Sequence, residues 1–247
     1  MLNKQEAVDL YRRRAKRYDL TAKIYYVMGF REWAYRKKAV DALALKPGET
    51  VVELCCGTGL NFALLEEAVG TTGKIIGVDI TDSMLSVARE KIRKNGWSNI
   101  ELIQSDAAIF RFPAEVNGII STFALPLVPE YESVIRAGSE ALAVGGRFVI
   151  LDFRIAANWL SRLAPLLVLT VRPFGVSLDL APRHPWEALT KYFSHVSVVE
   201  LYGGMAYVAW GSETKRPAAQ RKSVLAFKYR TGGHSMTHPK LVSWLKR

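Results

Sequence analysis

Several things are scarce in this 247-residue chain, and each scarcity closes a door. There are only two cysteines, Cys55 and Cys56, and they are adjacent, so no disulfide framework exists and the pair suits a reducing compartment. Histidine is nearly as rare, at four. His234 and His238 stand four apart, but Gly232, Gly233 and Pro239 break any helix there and no further ligand is near, so no metal site is expected. No Gly-Lys-Ser/Thr occurs, which excludes a P-loop. The start, MLNKQEAVDLYRRRAKRYD, lacks the apolar core of a secretory signal, so a cytoplasmic protein is expected.

Acidic residues are also short, by 11 against the basic ones, and unevenly so. Residues 1–40 carry 11 basic and 4 acidic side chains, 41–150 carry 9 and 14, and 151–247 carry 14 and 5. A mildly acidic centre lies between basic flanks, a pattern that suits an anionic surface such as lipid headgroups or nucleic acid, and equally serves solubility.

What is abundant is apolar: 49% of residues are hydrophobic, enough for one large core. The middle alternates regularly. Strands are expected at 51–55, 74–79, 100–104, 116–122 and 147–153, and helices at about 59–69, 83–94 and 130–143, the last ended by Gly145 and Gly146. Val196 to Leu201 and Met205 to Trp210, split by Gly203 and Gly204, read as a closing hairpin. The expected fold is α/β: a Rossmann-like, seven-stranded, mostly parallel sheet with helices on both faces. Residues 1–45 form a basic, aromatic helical lid, 46–211 the main domain with an apolar insertion at about 156–184, and 212–247 a basic C-terminal extension.

Open sheets of this kind bind ligands at the C-terminal ends of their strands. Collected there are Glu53, the turn Cys55 to Gly59, Asp79, Asp106, Ser121 to Phe123, and Asp152. Gly57-Thr58-Gly59 is not a dinucleotide fingerprint, because its third glycine position holds Phe62. Asp79, twenty residues after Gly59 at the next strand end, is placed for the two hydroxyls of a ribose.

Glu53-Leu-Cys-Cys-Gly57-Thr-Gly59, Val78-Asp79-Ile80, Ser105-Asp106-Ala107 and Gly145-Gly146-Arg147-Phe-Val-Ile together resemble the class I S-adenosylmethionine-dependent methyltransferases, over about residues 48–210. The family has glycine where this chain has Cys55. The resemblance implies S-adenosylmethionine as cofactor. Glu53 and the backbone of Cys55, Gly57, Thr58 and Gly59 would hold the methionine part, Asp79 the ribose and Asp106 the adenine amine. Ile80, Met84, Ala107, Thr122 and Phe123 complete the implied cofactor wall. Such enzymes supply alignment and desolvation more than acid or base chemistry. Taken singly, Asp79 or Asp106 reads equally well as a helix cap or a solvated acid.

Within the class, Tyr18-Asp19, the Gly29 to Trp33 stretch and Leu127-Val128-Pro129 resemble the quinone C-methyltransferases and the enzymes that N-methylate phosphatidylethanolamine. The quinone group tends to an Arg-Asn pair after the fourth strand, where this chain reads Phe123-Ala-Leu-Pro126, so the lipid-amine branch is expected. The expected partners are a lipid substrate and the anionic inner face of the membrane, with the protein peripheral to it. A quinone ring C-methyltransferase is the alternative. The apolar segment Trp159 to Val171 is too short to span a bilayer and suits an interfacial or buried helix. Arg154, Arg172 and Arg183 nearby suit phosphate or plain solvation. Tyr18, Tyr26 and Asp152 are the candidates for positioning the acceptor. An RNA methyltransferase is disfavoured, because no Asn-Pro-Pro-Tyr-like tetrapeptide follows the fourth strand.

Overall fold

The computed structural model describes residues 4–24, 29–154, 180 and 182–215. Tyr26, the Trp159 to Val171 segment, Arg172 and residues 216–247 of the basic extension lie outside the described residues.

Two helices come first, α1 (Lys4–Ile24) and α2 (Glu32–Leu43). Then β1 (Thr50–Leu54), α3 (Phe62–Val69), β2 (Lys74–Asp79), α4 (Asp82–Asn95), β3 (Ile100–Gln104) and β4 (Val116–Thr122) alternate. A 3-10 turn (Leu125–Leu127) leads into α5 (Tyr131–Ala141) and β5 (Leu142–Phe153). After the undescribed stretch come α6 (Pro185–Tyr192), β6 (Phe193–Leu201), a 3-10 turn (Tyr202–Gly204) and β7 (Ala206–Thr214).

The seven strands form one sheet in the order β3-β2-β1-β4-β5-β7-β6. β1 lies between β2 and β4, parallel to both, and only the β5-β7 and β7-β6 pairs are antiparallel. Strand order reverses at β1, so the crevice of the open sheet opens between the ends of β1 and β4. The expected fold class is the one observed. Ala39, Val40 and Leu43 of α2, Leu64, Leu65 and Val69 of α3 and Leu85 and Ala88 of α4 pack on one face of the sheet. Val134 and Ile135 of α5 and Ala188 and Leu189 of α6 pack on the other. Strands buried on both faces explain why β1 and β2 read as apolar runs without alternation.

Three local expectations change. The first central helix starts at Phe62, because Cys55 to Asn61 are spent on a turn in which Cys55, Gly57 and Gly59 all have positive φ. Gly145 and Gly146 do not end α5: the helix stops at Ala141 and β5 begins at once, with Leu142 opposite Val116. The register then slips to Gly118 opposite Arg147, so the glycines sit in a bulge, with Gly145 at φ +84°. The hairpin strands are longer than expected, and β7 runs to Thr214.

α1 packs on α4, with Arg12 Nε 3.0 Å from Asp82 Oδ1 and Lys91 Nζ 3.0 Å from Asp19 Oδ2. Phe30 sits at the entry to α2 among Tyr35, Phe123, Phe153 and Tyr202, each ring centroid 5.1–5.7 Å away. Tilted and edge-on ring pairs at this spacing are favourable beyond the area they bury, so Phe30 pins α2 to the ends of β4 and β5. No helix among the described residues is long and apolar enough to cross a membrane.

Candidate active site

A cleft with an empty volume of about 920 Å³, counted out to open solvent, lies over the ends of β1, β2 and β4. Ten of the twelve expected cofactor residues line it: Cys55, Gly57, Thr58, Asp79, Ile80, Met84, Asp106, Ala107, Thr122 and Phe123. Glu53 and Gly59 do not.

Asp79 is the best organised of them. Its Oδ2 accepts the Gly57 N–H and its Oδ1 the Thr81 N–H, both at 2.8 Å. Burial pushes its pKa up while these N–H groups pull it down. The Thr81 hydroxyl donates to it as well, so three donors fix the carboxylate in direction and it keeps accepting capacity for a ribose hydroxyl. The turn that donates to it leaves room: a Cβ on Gly57, at φ +55°, would meet nothing within 4 Å. A Cβ on Gly59, at φ +71°, would stand 2.4 Å from the Phe62 ring. Phe62, the residue that breaks the dinucleotide fingerprint, fills the space behind the turn, and its ring tip also limits Gly77 of β2.

Asp106 accepts the Ala108 N–H at 2.9 Å through Oδ1, and its Oδ2 meets the Lys4 ammonium reaching over from α1. Lys4 is also 3.6 Å from Glu130 Oε2. α1 thereby roofs the cleft: Lys4, Ala7, Val8, Tyr11 and Tyr18 all face it. Asp19, next to Tyr18, accepts the Thr58 hydroxyl at 2.6 Å, tying the roof to the glycine turn.

Glu53 acts one step back. It is 1% exposed, and its Oε1 accepts Asn61 Nδ2 at 2.6 Å. Asn61 also reaches Thr122 Oγ1 at 3.0 Å, and its Oδ1 accepts Arg36 Nη1 at 3.1 Å. Arg36, 5% exposed on α2, donates to Thr122 Oγ1 at 2.7 Å as well, pairs with Glu32 at 2.7 Å and lies over the Phe123 ring at 5.2 Å. Burial dominates at Glu53 and raises its pKa to about 7 in spite of Arg36 and Asn61.

The three acceptor candidates fare differently. Tyr18 lines the cleft, and burial pushes its pKa up to about 12, so it keeps its proton and offers a hydrogen bond. Asp152 is not on the wall. Its Oδ1 accepts the Phe153 N–H at 2.8 Å, the N–H groups of Ala124 and Leu125 point at its carboxyl, and burial lifts its pKa to about 7. It holds the turn after β4. Tyr26 lies outside the described residues.

Phe123, in that turn, has φ +57° although it is not glycine, a strained setting of the kind found at ligand clamps. With Leu127, Val128 and Pro129 it makes the apolar wall opposite Asp79. Pro126, the last residue of the Phe123-Ala-Leu-Pro126 stretch, offers its carbonyl to Arg183. The sequence reading had not singled out Lys4, Arg36 or Asn61. Lys4 and Arg36 were lost among the many cations of the flanks, although Asn61, directly after the Gly-x-Gly, carried a signal in its position.

Set beside known proteins, residues 1–174 match the ubiE/COQ5 methyltransferase family. The ubiquinone/menaquinone biosynthesis C-methyltransferase UbiE of Salmonella arizonae is 36% identical over 141 residues, covering 56% of this chain and 55% of that protein. The chain thus spans about half the length of the curated relatives it matches. Among solved structures, a SAM-dependent methyltransferase from Aquifex aeolicus superposes with a TM-score of 0.51 at 20% identity, over 71% of this chain and 88% of that one. The phospholethanolamine N-methyltransferase 2 of Haemonchus contortus, solved with phosphomonomethylethanolamine and S-adenosylhomocysteine, gives 0.54 at 19% identity, over 68% of this chain and 39% of that one. At such identities the structures testify to the fold. The family match spans every element that builds the cleft, from Lys4 of α1 to Phe123 after β4, and on it the assignment rests: this chain belongs to the ubiE/COQ5 methyltransferase family.

Proposed function

We propose that this protein transfers a methyl group from S-adenosylmethionine to a ring carbon of a quinol-type acceptor. The observation that carries the reading is the family match across residues 1–174, with its UbiE relatives named for C-methylation. The lipid-amine expectation gives way to the alternative on this ground. It leaned on the absent Arg-Asn pair, on the apolar segment Trp159 to Val171 and on the basic, aromatic flanks, and 36% identity over 141 residues to C-methyltransferases weighs more.

The residues present fit the cofactor. Asp79, fixed in direction by Gly57 and Thr81, takes the ribose, Asp106 the adenine amine, and the open face of Gly57 admits the chain between ribose and methionine. Bound there, the cofactor supplies an electrophilic methyl on a positively charged sulfur. The protein's task is then alignment. Phe123, Leu127, Val128 and Pro129 give a flat ring an apolar wall, and the Phe123 backbone is held by Leu151 O at 2.7 Å. A ring carbon beside a phenolic oxygen gains the methyl as the sulfur–carbon bond breaks, and the ring then loses its own proton to water. Tyr18, which keeps its proton, donates to the acceptor oxygen. Asp79 and Asp106, the two carboxylates of the described cleft wall, both sit on the donor side.

The test is incubation with methyl-labelled S-adenosylmethionine and two acceptors, a reduced demethylated naphthoquinone and liposomes containing phosphatidylethanolamine. Mass spectrometry should place the label on a ring carbon. Label on the lipid amine alone would overturn the reading and restore the other branch.

A further inference from the structure

The described cleft wall carries two carboxylates, Asp79 and Asp106, and two cations, Lys4 and Arg36, placed at different ends. Lys4 stands beside Asp106, paired with it and with Glu130. Arg36 stands at the other end, against Thr122, Asn61 and Phe123, where β1 and β4 diverge. Asp79 and the Gly57 turn lie on the stretch of wall joining them.

S-Adenosylmethionine has one anionic group, the carboxylate of its methionine part. With the ribose at Asp79 and the adenine at Asp106, the methionine part runs toward the Gly57 turn and Thr122, away from Lys4. Glu53, to which the sequence assigned part of that end, does not line the cleft and is hydrogen-bonded to Asn61. A carboxylate entering there meets a guanidinium.

We infer that Arg36 is the residue that receives the cofactor's carboxylate, so that the donor site is completed by helix α2 of the N-terminal segment. Burying a guanidinium is unfavourable unless its N–H groups are matched. Glu32 engages Nε and Nη2, and Asn61 and Thr122 engage Nη1. Of the five N–H groups of an arginine these contacts use four, leaving one on Nη2 for a ligand. Asn61 and Glu32 fix the fork in direction, and Glu53 in turn fixes Asn61. Arg36 is therefore a binding residue, with Asn61 and Glu53 as positioning residues behind it.

The inference rests on the donor half of the proposed function and is independent of the acceptor. Its test is calorimetric titration with two ligands, S-adenosylhomocysteine and 5′-(3-aminopropylthio)-5′-deoxyadenosine, which keeps the amine and lacks only the carboxylate. The wild-type protein should bind the first at least about tenfold more tightly, as a charge-assisted hydrogen bond in a buried site implies. Arg36→Gln should lose that preference by weakening the first ligand and sparing the second, Arg36→Lys should recover part of it, and Lys4→Ala should keep it. Equal affinity of the wild-type protein for both ligands overturns the inference without any variant, even where Arg36→Gln fails to fold. Equal weakening of both ligands in Arg36→Gln marks a merely structural arginine and overturns it too, as does loss of the preference in Lys4→Ala. Failure of the wild-type protein to bind S-adenosylhomocysteine at all would instead overturn the donor half of the proposed function, and this inference with it.

Discussion

Asp79 Oδ2 accepts the Gly57 N–H at 2.8 Å, so the end of β2 and the turn after β1 hold each other in place. Asp79→Asn must put an amide NH₂ against either the Gly57 or the Thr81 N–H, donor to donor, and it removes accepting capacity offered to a ribose. S-Adenosylhomocysteine affinity should fall by about tenfold to a hundredfold in calorimetry, which corresponds to about 1.4–2.8 kcal/mol.

The two glycines of the turn should respond differently to the same change. Gly57→Ala meets open space, so its cost in stability is the φ +55° strain alone, about 1–2 kcal/mol. Gly59→Ala adds a collision 2.4 Å from the Phe62 ring and should cost about 3 kcal/mol or more. Urea denaturation of both variants checks the order.

Cys55 has φ +54° at the position where the wider class has glycine. Cys55→Gly relieves the backbone and gives up the burial of one small side chain, so unfolding free energy should stay within about 1 kcal/mol of wild type. Cys55→Val puts a β-branched side chain at the same φ and should cost about 2 kcal/mol or more, read from the same denaturation curves.

Glu53 gives a pH signature. Its pKa in the fold, about 7, lies above the ordinary 4.5, so the folded protein holds a proton that the unfolded chain has already lost. Stability therefore falls as pH rises from about 4.5 to about 7 and then levels off, and this residue's share is about 3 kcal/mol. Glu53→Gln keeps an acceptor for Asn61 and cannot ionise. Unfolding free energies at pH 5 and pH 8 should differ by about 2.5 kcal/mol less in the variant. Asp152, raised in the same direction by burial, keeps its own contribution in both proteins.

The sheet and the residues gathered at its crevice were legible in the sequence because both are written in short segments. An apolar run ending in an acid gives β1 and Glu53; Val78-Asp79 and Ser105-Asp106 mark the next two strand ends. What stayed hidden depends on contacts between distant segments. Arg36 meets Thr122 across 86 residues and Lys4 meets Asp106 across 102, and nothing local separates these cations from their exposed neighbours on the same helices. Glu53 stands at the expected strand end, but off the cleft wall, with its Oε1 accepting from Asn61. Asp152 was likewise at the right strand end, but its carboxyl turns under Ala124 and Leu125 instead of into the cleft.

The pairing of β1 with β4 has a consequence for the order of events during folding. Val51 lies opposite Gly118, so the crevice between these strands spans a loop of 67 residues, the difference of the two numbers. Closing a loop of that length costs entropy that contacts within α3, β2 and α4 repay only in part. A nascent chain that has emerged no further than β3 already owns the glycine turn, Asp79 and Arg36, yet it has no Thr122 to stop the guanidinium and no Phe123 to face it. The cleft therefore cannot be complete before β4 joins β1, and a chain that ends at β3 has no formed site in which to hold its cofactor.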